Sequence, residues 1–391
     1  MIKRVLQQKL ASLSKQYPVV TITGPRQSGK TTLCKMTFSK KPYCSIEEMD
    51  HREFATSDPR GFLAQFPDGA VIDEVQRAPD LPSYIQGIVD EKKTNGLYIL
   101  TGSQNFELSN TVGQSLAGRT ALLKLLPFTM DEIRKDVEAQ GLDRLMLTGF
   151  YPRIYDQNLD PTEALGFLYE TYVERDIRAI SNVHNLSLFQ KFVRLCAGRV
   201  GQLMNLSNLG NEVGVSHTTA KQWLSLLEAS YIVYLLQPHH KNYNKRITKS
   251  AKLYFCDVGM AAFLLGIKNE KQMTRDPLRG HLFENMIVME FIKQILNEGK
   301  IPEASFFRDS SGNEVDLILR FGNSLLPIEI KAGQTVAGDF FKGLEYFKKV
   351  AKDRLIGRIV VYGGSKVQQR GDIEVHPYLN CKDIYSKYGS A

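Results

Sequence analysis

The feature that most constrains the fold is a glycine-rich sequence near the amino terminus, Gly24-Pro-Arg-Gln-Ser-Gly-Lys-Thr31. It matches the pattern G-x-x-x-x-G-K-[ST] at every fixed position. The β-branched residues 18–23 before it are typical of a buried parallel strand, and residues 32–38 after it read as a helix. A strand, this loop and a helix in succession predict a phosphate-binding loop (P-loop). The chain should therefore begin with an α/β domain built on a parallel sheet.

Each residue type in the loop suits a nucleoside triphosphate. Glycines let the backbone pass close to the phosphates, to which successive amides donate. We expect Lys30 to reach the β- and γ-phosphates and the Thr31 hydroxyl to hold Mg²⁺. The start of the following helix adds a favourable dipole. The predicted contacts to the nucleotide come from Gly24, Pro25, Arg26, Gln27, Ser28, Gly29, Lys30, Thr31 and Thr32.

Further candidates follow other apolar runs. One run ends in Asp73 and Glu74. Asp73 is predicted to hold Mg²⁺, directly or through water, and Glu74 to orient or deprotonate the attacking water; a solvated strand end is the alternative. After the next strand, Ser103 and Gln104 are candidates to sense the γ-phosphate, or are an ordinary polar strand end. Arg119 is either an arginine finger, in cis or from a neighbouring subunit, or a surface arginine.

Several segments together resemble a large prokaryotic family of AAA-superfamily ATPases. They are Ile-Thr-Gly-Pro-Arg-Gln-Ser-Gly-Lys-Thr-Thr at 22–32, Val-Ile-Asp-Glu-Val-Gln at 71–76, Leu-Thr-Gly-Ser-Gln at 100–104, and Leu-Ala-Gly-Arg with Leu-Pro-Phe at 116–128. In that family a conserved domain of unknown function follows the P-loop core. Two segments of this chain resemble the opening signatures of that domain, Gly-Phe-Tyr-Pro at 149–152 and Tyr-Val-Glu-Arg-Asp-Ile at 172–177. The resemblance covers nearly the whole chain. It implies ATP and Mg²⁺ as cofactors and ATP hydrolysis, but no substrate.

Residues 206–228 follow the rhythm of a helix-turn-helix. A first helix should end at Gly214, Ser216 can cap the second, and Trp223 falls on its apolar face. Two strand-like runs around the basic residues 239–252 complete a winged-helix pattern. One interpretation is DNA contact, through Thr218, Thr219, Lys221, Gln222, Lys241, Lys245, Arg246 and Lys249. The other is a protein-interaction or lid-type module, because the second helix carries only one cation.

The last third of the chain carries a second set of acids. Glu284 lies in the first turn of an amphipathic helix, Asp316 lies on a strand, and Glu329 and Lys331 lie on the next strand. Because strand residues alternate between faces, a hairpin can bring the last three together, with Glu284 closing the site. Such carboxylates bind Mg²⁺, and a lysine can stabilise charge at a phosphodiester. This order resembles the PD-(D/E)XK nuclease superfamily, which implies a metal on Asp316 and Glu329, although nuclease-like domains also serve as binding scaffolds.

These segments predict three parts: a P-loop AAA-type ATPase domain at 1–135, a mainly helical, winged-helix-like section at 140–265, and a PD-(D/E)XK-like α/β domain at 270–391. The leading hypothesis is an ATPase whose nucleotide state controls the later domains. The alternatives are an ATP-dependent, Mg²⁺-requiring nuclease and a non-hydrolysing, nucleotide-gated binding module. DNA or RNA would contact residues 207–252 and the carboxyl-terminal domain. Whether the chain forms a homo-oligomer is left open.

Composition excludes several classes of protein. The chain is 43% hydrophobic and 24% charged, which excludes wholesale disorder. It has no apolar run of the ~18 residues that a membrane span requires, and its start lacks the apolar core of a secretory signal. Five scattered cysteines lack zinc-site spacing and fit a reducing compartment. We expect a cytoplasmic protein without a membrane partner, and the net charge of +8 only weakly favours polyanions.

Overall fold

The structure is a computed structural model that describes residues 2–103, 115–172, 185–239 and 250–389. Its amino-terminal part is a parallel sheet with the strand order β2-β3-β4-β1-β5. The strands are β1 (Val19–Thr23), β2 (Tyr43–Ser45), β3 (Val71–Asp73), β4 (Tyr98–Gly102) and β5 (Thr120–Lys124). The helices of this part are Leu6–Leu13, Lys30–Thr37, Met49–Ser57, Pro59–Ala64 and Leu81–Lys92. As the P-loop pattern predicts, this is the α/β fold of a P-loop ATPase.

The middle part is mainly helical. Its helices are Arg134–Ala139, Leu142–Thr148, Pro152–Asp156, Pro161–Leu168, Leu186–Ala197, Leu206–Val213, His217–Ala229, Val258–Leu264 and Glu270–Arg275. An antiparallel pair, β6 (Val233–Leu236) and β7 (Lys252–Phe255), lies among them. Gly214 ends one helix in the left-handed conformation, and the Ser216 side chain caps the next. Trp223 is buried with its ring edge-on to Phe189 and Phe192, so the prediction that it belongs to the core is confirmed.

The carboxyl-terminal part is a mixed sheet with the order β12-β13-β11-β10-β9-β8. Its strands are β8 (Ala304–Arg308), β9 (Glu314–Phe321), β10 (Ser324–Lys331), β11 (Ile359–Tyr362), β12 (Gln368–Arg370) and β13 (Ile373–Pro377). Its helices are Arg279–Asn297, Lys342–Ala351 and Cys381–Gly389. The strands β9 and β10 are antiparallel neighbours, as the predicted hairpin requires.

One long helix, Arg279–Asn297, connects the middle part to this sheet. It is buried continuously from Leu282 to Asn297. Side chains of the helix share a hydrophobic core with middle-part residues such as Phe192 and with sheet residues such as Ile328. The core therefore continues across the boundary predicted near residues 265–270. In the described ranges, no helix is both long and apolar enough to cross a membrane.

Candidate nucleotide site and carboxyl-terminal charge cluster

The P-loop joins β1 to the helix Lys30–Thr37 at the carboxyl edge of the parallel sheet. A Cβ atom on Gly24 would lie 2.1 Å from the backbone oxygen of Leu125, and the φ of Gly24 is +151°. Gly29, immediately before the helix, has a left-handed φ of 91°. Side chains are disfavoured at both positions, for a steric reason at Gly24 and a conformational one at Gly29. The loop thus needs both glycines of the motif.

Lys30 is buried inside the loop with 5% of its surface exposed. Its Nζ donates to the backbone oxygen of Gly24 at 2.9 Å and to that of Pro25 at 2.8 Å. Burial lowers the pKa of Lys30 to about 8, although Glu74 and Asp73 oppose the shift. Phosphate oxygens are stronger acceptors than backbone carbonyls, so a triphosphate would draw this ammonium group and favour its charged form.

Asp73, the last residue of β3, collects several hydroxyl groups. Its Oδ2 accepts from Thr31 Oγ1 at 2.7 Å and from the Tyr43 hydroxyl at 2.8 Å, and its Oδ1 accepts from Thr101. Thr31 and Asp73, the predicted metal pair, are therefore in contact. Oxygen donors of this kind suit Mg²⁺. The contacts of Tyr43 and Thr101 with Asp73 were not predicted, because they depend on the order of the strands in the sheet.

Glu74 lines the cavity beside the loop and has a left-handed backbone, with φ of 56° and ψ of 43°. Its Oε2 accepts from Ser103 Oγ at 2.9 Å and from Gln76 Nε2. A left-handed residue with a Cβ costs about 1–3 kcal/mol, and such strain concentrates at functional sites. Ser103 thus contacts the candidate base. Gln104, the other predicted sensor, lies outside the described residues.

The cavity in front of the loop has a volume of about 470 Å³. That is within the usual range for small-molecule sites. Its polar wall includes Arg26, Gln27, Gly29, Lys30, Thr31, Thr32 and Glu74. An apolar wall, formed by the amino-terminal segment and the middle part, includes Ile2, Phe128, Pro152, Leu168 and Tyr172. Gly24, Pro25 and Ser28 belong to the loop but not to this lining. Phe128, Pro152 and Tyr172 of this wall lie in segments that carry the family resemblance, but the sequence did not predict that they would line the cavity.

Arg119 lies at the opposite end of the sheet from the P-loop. It immediately precedes β5, where its backbone oxygen accepts from Val19 at the start of β1. Its guanidinium pairs with Asp90, Nε at 2.5 Å and Nη2 at 2.8 Å. The structure does not bring Arg119 to the cavity of its own chain. An arginine finger supplied to a neighbouring copy stays a prediction.

The acids predicted near the carboxyl terminus meet around a second cavity of about 520 Å³, lined by Glu284, Asp316, Glu329 and Lys331 among others. Each of the three carboxylate residues is 7% exposed. Lys331 Nζ lies 2.6 Å from Glu329 Oε1 and 3.8 Å from Asp316 Oδ2. The hairpin and the long helix thus bring all four residues to one place.

Lys252, the first residue of β7, enters the same cluster and was not predicted there. It is 2% exposed. Its Nζ lies 2.8 Å from Glu284 Oε1 and 2.5 Å from Glu314 Oε1. The distance from Nζ to Asp316 Oδ1 is 3.7 Å. The Lys252 ammonium group therefore lies between Glu284 and Asp316. In the described ranges, no group of three or more acid, His or Cys side chains is arranged for a metal ion.

The three carboxyl groups of the cluster differ in pKa. Burial alone would raise the pKa of Glu284, but Lys252, His281 and Tyr254 outweigh burial and lower it to about 2. Burial and Glu284 raise the pKa of Asp316 to about 6. Burial and Asp316 raise the pKa of Glu329 to about 8. Of the three carboxyl groups, Glu284 therefore ionises most readily and Glu329 least readily.

The helix His217–Ala229 presents a polar surface. Thr218, Lys221 and Gln222 are exposed and Thr219 is half-buried. The cations predicted for the wing, Lys241, Lys245, Arg246 and Lys249, lie outside the described residues, as does most of the segment at 172–177.

Family models match three consecutive segments. Residues 16–134 match an AAA domain, 139–271 a domain of unknown function (DUF8612), and 279–381 a domain of unknown function (DUF4143). Uncharacterized proteins of Mycobacterium bovis and Mycobacterium tuberculosis are each 29% identical over 322 residues, covering 81% of this chain and 71% of the relative.

Solved structures are also similar to parts of the chain. A Walker-type ATPase of Pyrococcus abyssi has a TM-score of 0.45 at 15% identity, covering 68% of this chain and 96% of that one. AMPPCP-bound DnaA from Aquifex aeolicus has a TM-score of 0.29 at 14% identity, covering 57% of this chain and 86% of that one.

Proposed function

Because this chain carries an AAA-type P-loop ATPase core at its amino terminus and a DUF4143 domain near its carboxyl terminus, we propose that it hydrolyses ATP to ADP and phosphate. The observation that carries the proposal is the contact of Thr31 with Asp73 beside the buried Lys30. These residues, from two different strand ends, have the charge and hydroxyl groups that a triphosphate and Mg²⁺ require.

The contacts support a separate role for each residue. Thr31 and Asp73 would hold Mg²⁺, which supplies positive charge to the phosphates. Lys30 would bind the β- and γ-phosphate oxygens in exchange for its present carbonyl acceptors. Glu74 would take a proton from the attacking water, with its carboxylate oriented by Ser103.

A link to the later domains is the second half of the proposal. Pro152, Leu168 and Tyr172 of the middle part line the nucleotide cavity. Leu168 and Tyr172 also belong to the hydrophobic core that surrounds the long helix. In addition, Thr23 at the end of β1 shares a 2.6 Å hydrogen bond with Tyr231. A bound nucleotide would thus contact side chains of the hydrophobic core that continues into the carboxyl-terminal domain, and its presence would bias the packing of that core.

Paired variants test the ATPase. Lys30→Ala should lose affinity for a fluorescent ATP analogue, whereas Glu74→Gln should bind it and release phosphate about 10²–10⁴-fold more slowly. Glu47→Gln is the matched control, because Glu47 also lines the cavity but is largely exposed. Phosphate release at the wild-type rate by Glu74→Gln would refute the proposed general base. Wild-type binding without any turnover would instead indicate a nucleotide-gated binding module.

A second candidate function is Mg²⁺-dependent cleavage of DNA or RNA at the carboxyl-terminal cluster. The convergence of Glu284, Asp316, Glu329 and Lys331 favours it, with Asp316 and Glu329 as the metal ligands and Lys331 beside them. The ammonium group of Lys252 opposes it, because that group already pairs with Glu284 and Asp316 and would compete with a metal ion for Asp316.

A panel of DNA and RNA substrates with Mg²⁺ or Mn²⁺, with and without ATP, tests the nuclease. Cleavage should disappear in Asp316→Ala and in Glu329→Ala while ATP hydrolysis persists. Glu303→Ala, which changes an exposed acid, should cleave normally. Absence of cleavage by the wild-type protein under every condition would exclude this candidate. Nucleic-acid binding without cleavage, through residues 207–252 or the cluster, would leave a binding domain controlled by ATP.

A further inference from the structure

We propose that Arg4 is a positioning residue of the nucleotide site, and that it sets the direction of the Gly29 amide before a phosphate arrives. The proposal deepens the ATP-binding function and rests on it. Arg4 precedes residues 16–134, the segment that matches an AAA domain, and no motif in the sequence pointed to it.

The Arg4 side chain is buried at the base of the P-loop. It is 6% exposed, and each guanidinium nitrogen has an acceptor. Nη1 donates to the backbone oxygen of Ser28 at 2.6 Å, and Nη2 to that of Leu126 at 2.8 Å. Nε donates to Glu132 at 2.9 Å. The guanidinium carbon lies 4.8 Å from the centre of the Phe128 ring. Arg4 therefore connects the P-loop to the segment that follows β5.

Glu132 is a rigid anchor for this guanidinium group. Its side chain is fully buried. Besides Arg4, its Oε1 accepts from the Val5 amide at 2.7 Å, and its Oε2 accepts from the Thr129 amide at 2.9 Å. The Thr129 hydroxyl in turn accepts from the Glu132 amide at 3.3 Å, which gives the reciprocal bonds of a capping box. A carboxylate held by this many donors fixes the planar guanidinium that pairs with it.

The bond to Ser28 decides how the next amide points. In a planar trans peptide the N–H of one residue lies opposite the C=O of the residue before it. With the Ser28 oxygen turned towards Arg4, the Gly29 N–H is turned away from Arg4. Without this bond the peptide could rotate easily, because Gly29 has no Cβ to restrict it and has a left-handed φ of 91°.

Amides of a P-loop donate to phosphate oxygens, and a donor already held in its binding direction costs less to order on binding. Arg4, which itself belongs to the cavity lining, thus acts on affinity through Ser28 and Gly29. Asp73 and Glu74, the groups proposed for metal binding and hydrolysis, lie at the end of β3. A lysine cannot replace it, because one ammonium group does not span three acceptors in a plane.

The test compares Arg4→Lys with wild type in the full chain, using Mg-ATP. We expect both Kd and KM to rise about tenfold or more, as for the loss of a charge-assisted hydrogen bond, with kcat changed by less than about twofold. Arg60→Lys, which changes an exposed arginine, should keep wild-type values. Arg4→Ala should show the same loss of affinity, which methylguanidinium should restore and methylammonium should not. Glu132→Gln, which loosens Arg4 from outside the cavity lining, should give a smaller rise in Kd.

The outcomes separate the two proposals. If Arg4→Lys binds Mg-ATP as tightly as wild type, or loses kcat with KM unchanged, the proposed role of Arg4 is refuted. The proposal that the chain is an ATPase is then unaffected. Wild-type protein that binds Mg-ATP without hydrolysis, together with a weakened Kd in Arg4→Lys, overturns the ATPase but supports the positioning role. Wild-type protein without affinity for Mg-ATP overturns both.

Discussion

Lys252→Met tests whether one ammonium group holds the carboxyl-terminal cluster together. Methionine approximates the length of lysine but carries no charge. The Lys252 ammonium lies 2.8 Å from Glu284 and 2.5 Å from Glu314, with 2% of the residue exposed. Removing one partner of a buried ion pair costs about 3–5 kcal/mol, because the remaining charge is left uncompensated. At about 2 °C per kcal/mol for a large cooperative unit, we expect Tm to fall by about 6–10 °C.

Thermal unfolding of purified protein, followed by circular dichroism, measures the effect. Lys331→Met is the matched control, because the Lys331 side chain is 32% exposed and its ion pairs should contribute about 1 kcal/mol or less. Adding Glu284→Gln to Lys252→Met removes the uncompensated charge and should restore part of the loss. A Tm for Lys252→Met equal to that of Lys331→Met would refute the reasoning. If the cluster is a metal site, Mn²⁺ should stabilise Lys252→Met more than it stabilises wild type.

Three further predictions concern other parts of the chain. Gly24→Ala should abolish ATP binding in a titration with a fluorescent analogue, because the added Cβ would lie 2.1 Å from a backbone oxygen. Gly87→Ala should bind normally, because a Cβ at Gly87 has no atom within 4 Å. Trp223→Ala should cost about 3–5 kcal/mol in urea unfolding, whereas Lys221→Ala on the exposed face should cost less than about 0.5 kcal/mol. The five free cysteines are all buried, and burial raises the pKa of Cys196 to about 12. Ellman's reagent at pH 8 should therefore react with the chain only after unfolding. Rapid reaction of the native protein would contradict the described core.

The features that could be predicted from the sequence are those whose residues are contiguous along the chain. The spacing of the P-loop motif places Lys30 and Thr31 at the start of the helix after β1, so a candidate role for each could be assigned directly. The parallel sheet followed from the same pattern. The alternation of β9 and β10 likewise indicated that Asp316 and Glu329 would meet.

The remaining site residues depend on distant packing. Lys252 lies at the end of a basic stretch, and only the pairing and position of β7 bring it among acids. Arg4 is held in place by a carboxylate far along the chain, that of Glu132. Arg119 looked like a candidate finger because its type and neighbourhood fit, but a residue type does not reveal at which end of a strand its side chain lies. Such contacts are set by tertiary structure, which local spacing does not encode.

The burial of the helix Arg279–Asn297 limits where this protein can be divided into stable fragments. Two sequence families meet between residues 271 and 279, yet the apolar side chains on either side of that junction pack against one another. Proteolysis at the junction, or truncation of the gene there, would leave each fragment with a large exposed apolar surface. The two segments are therefore expected to fold as one unit, although different family models match them.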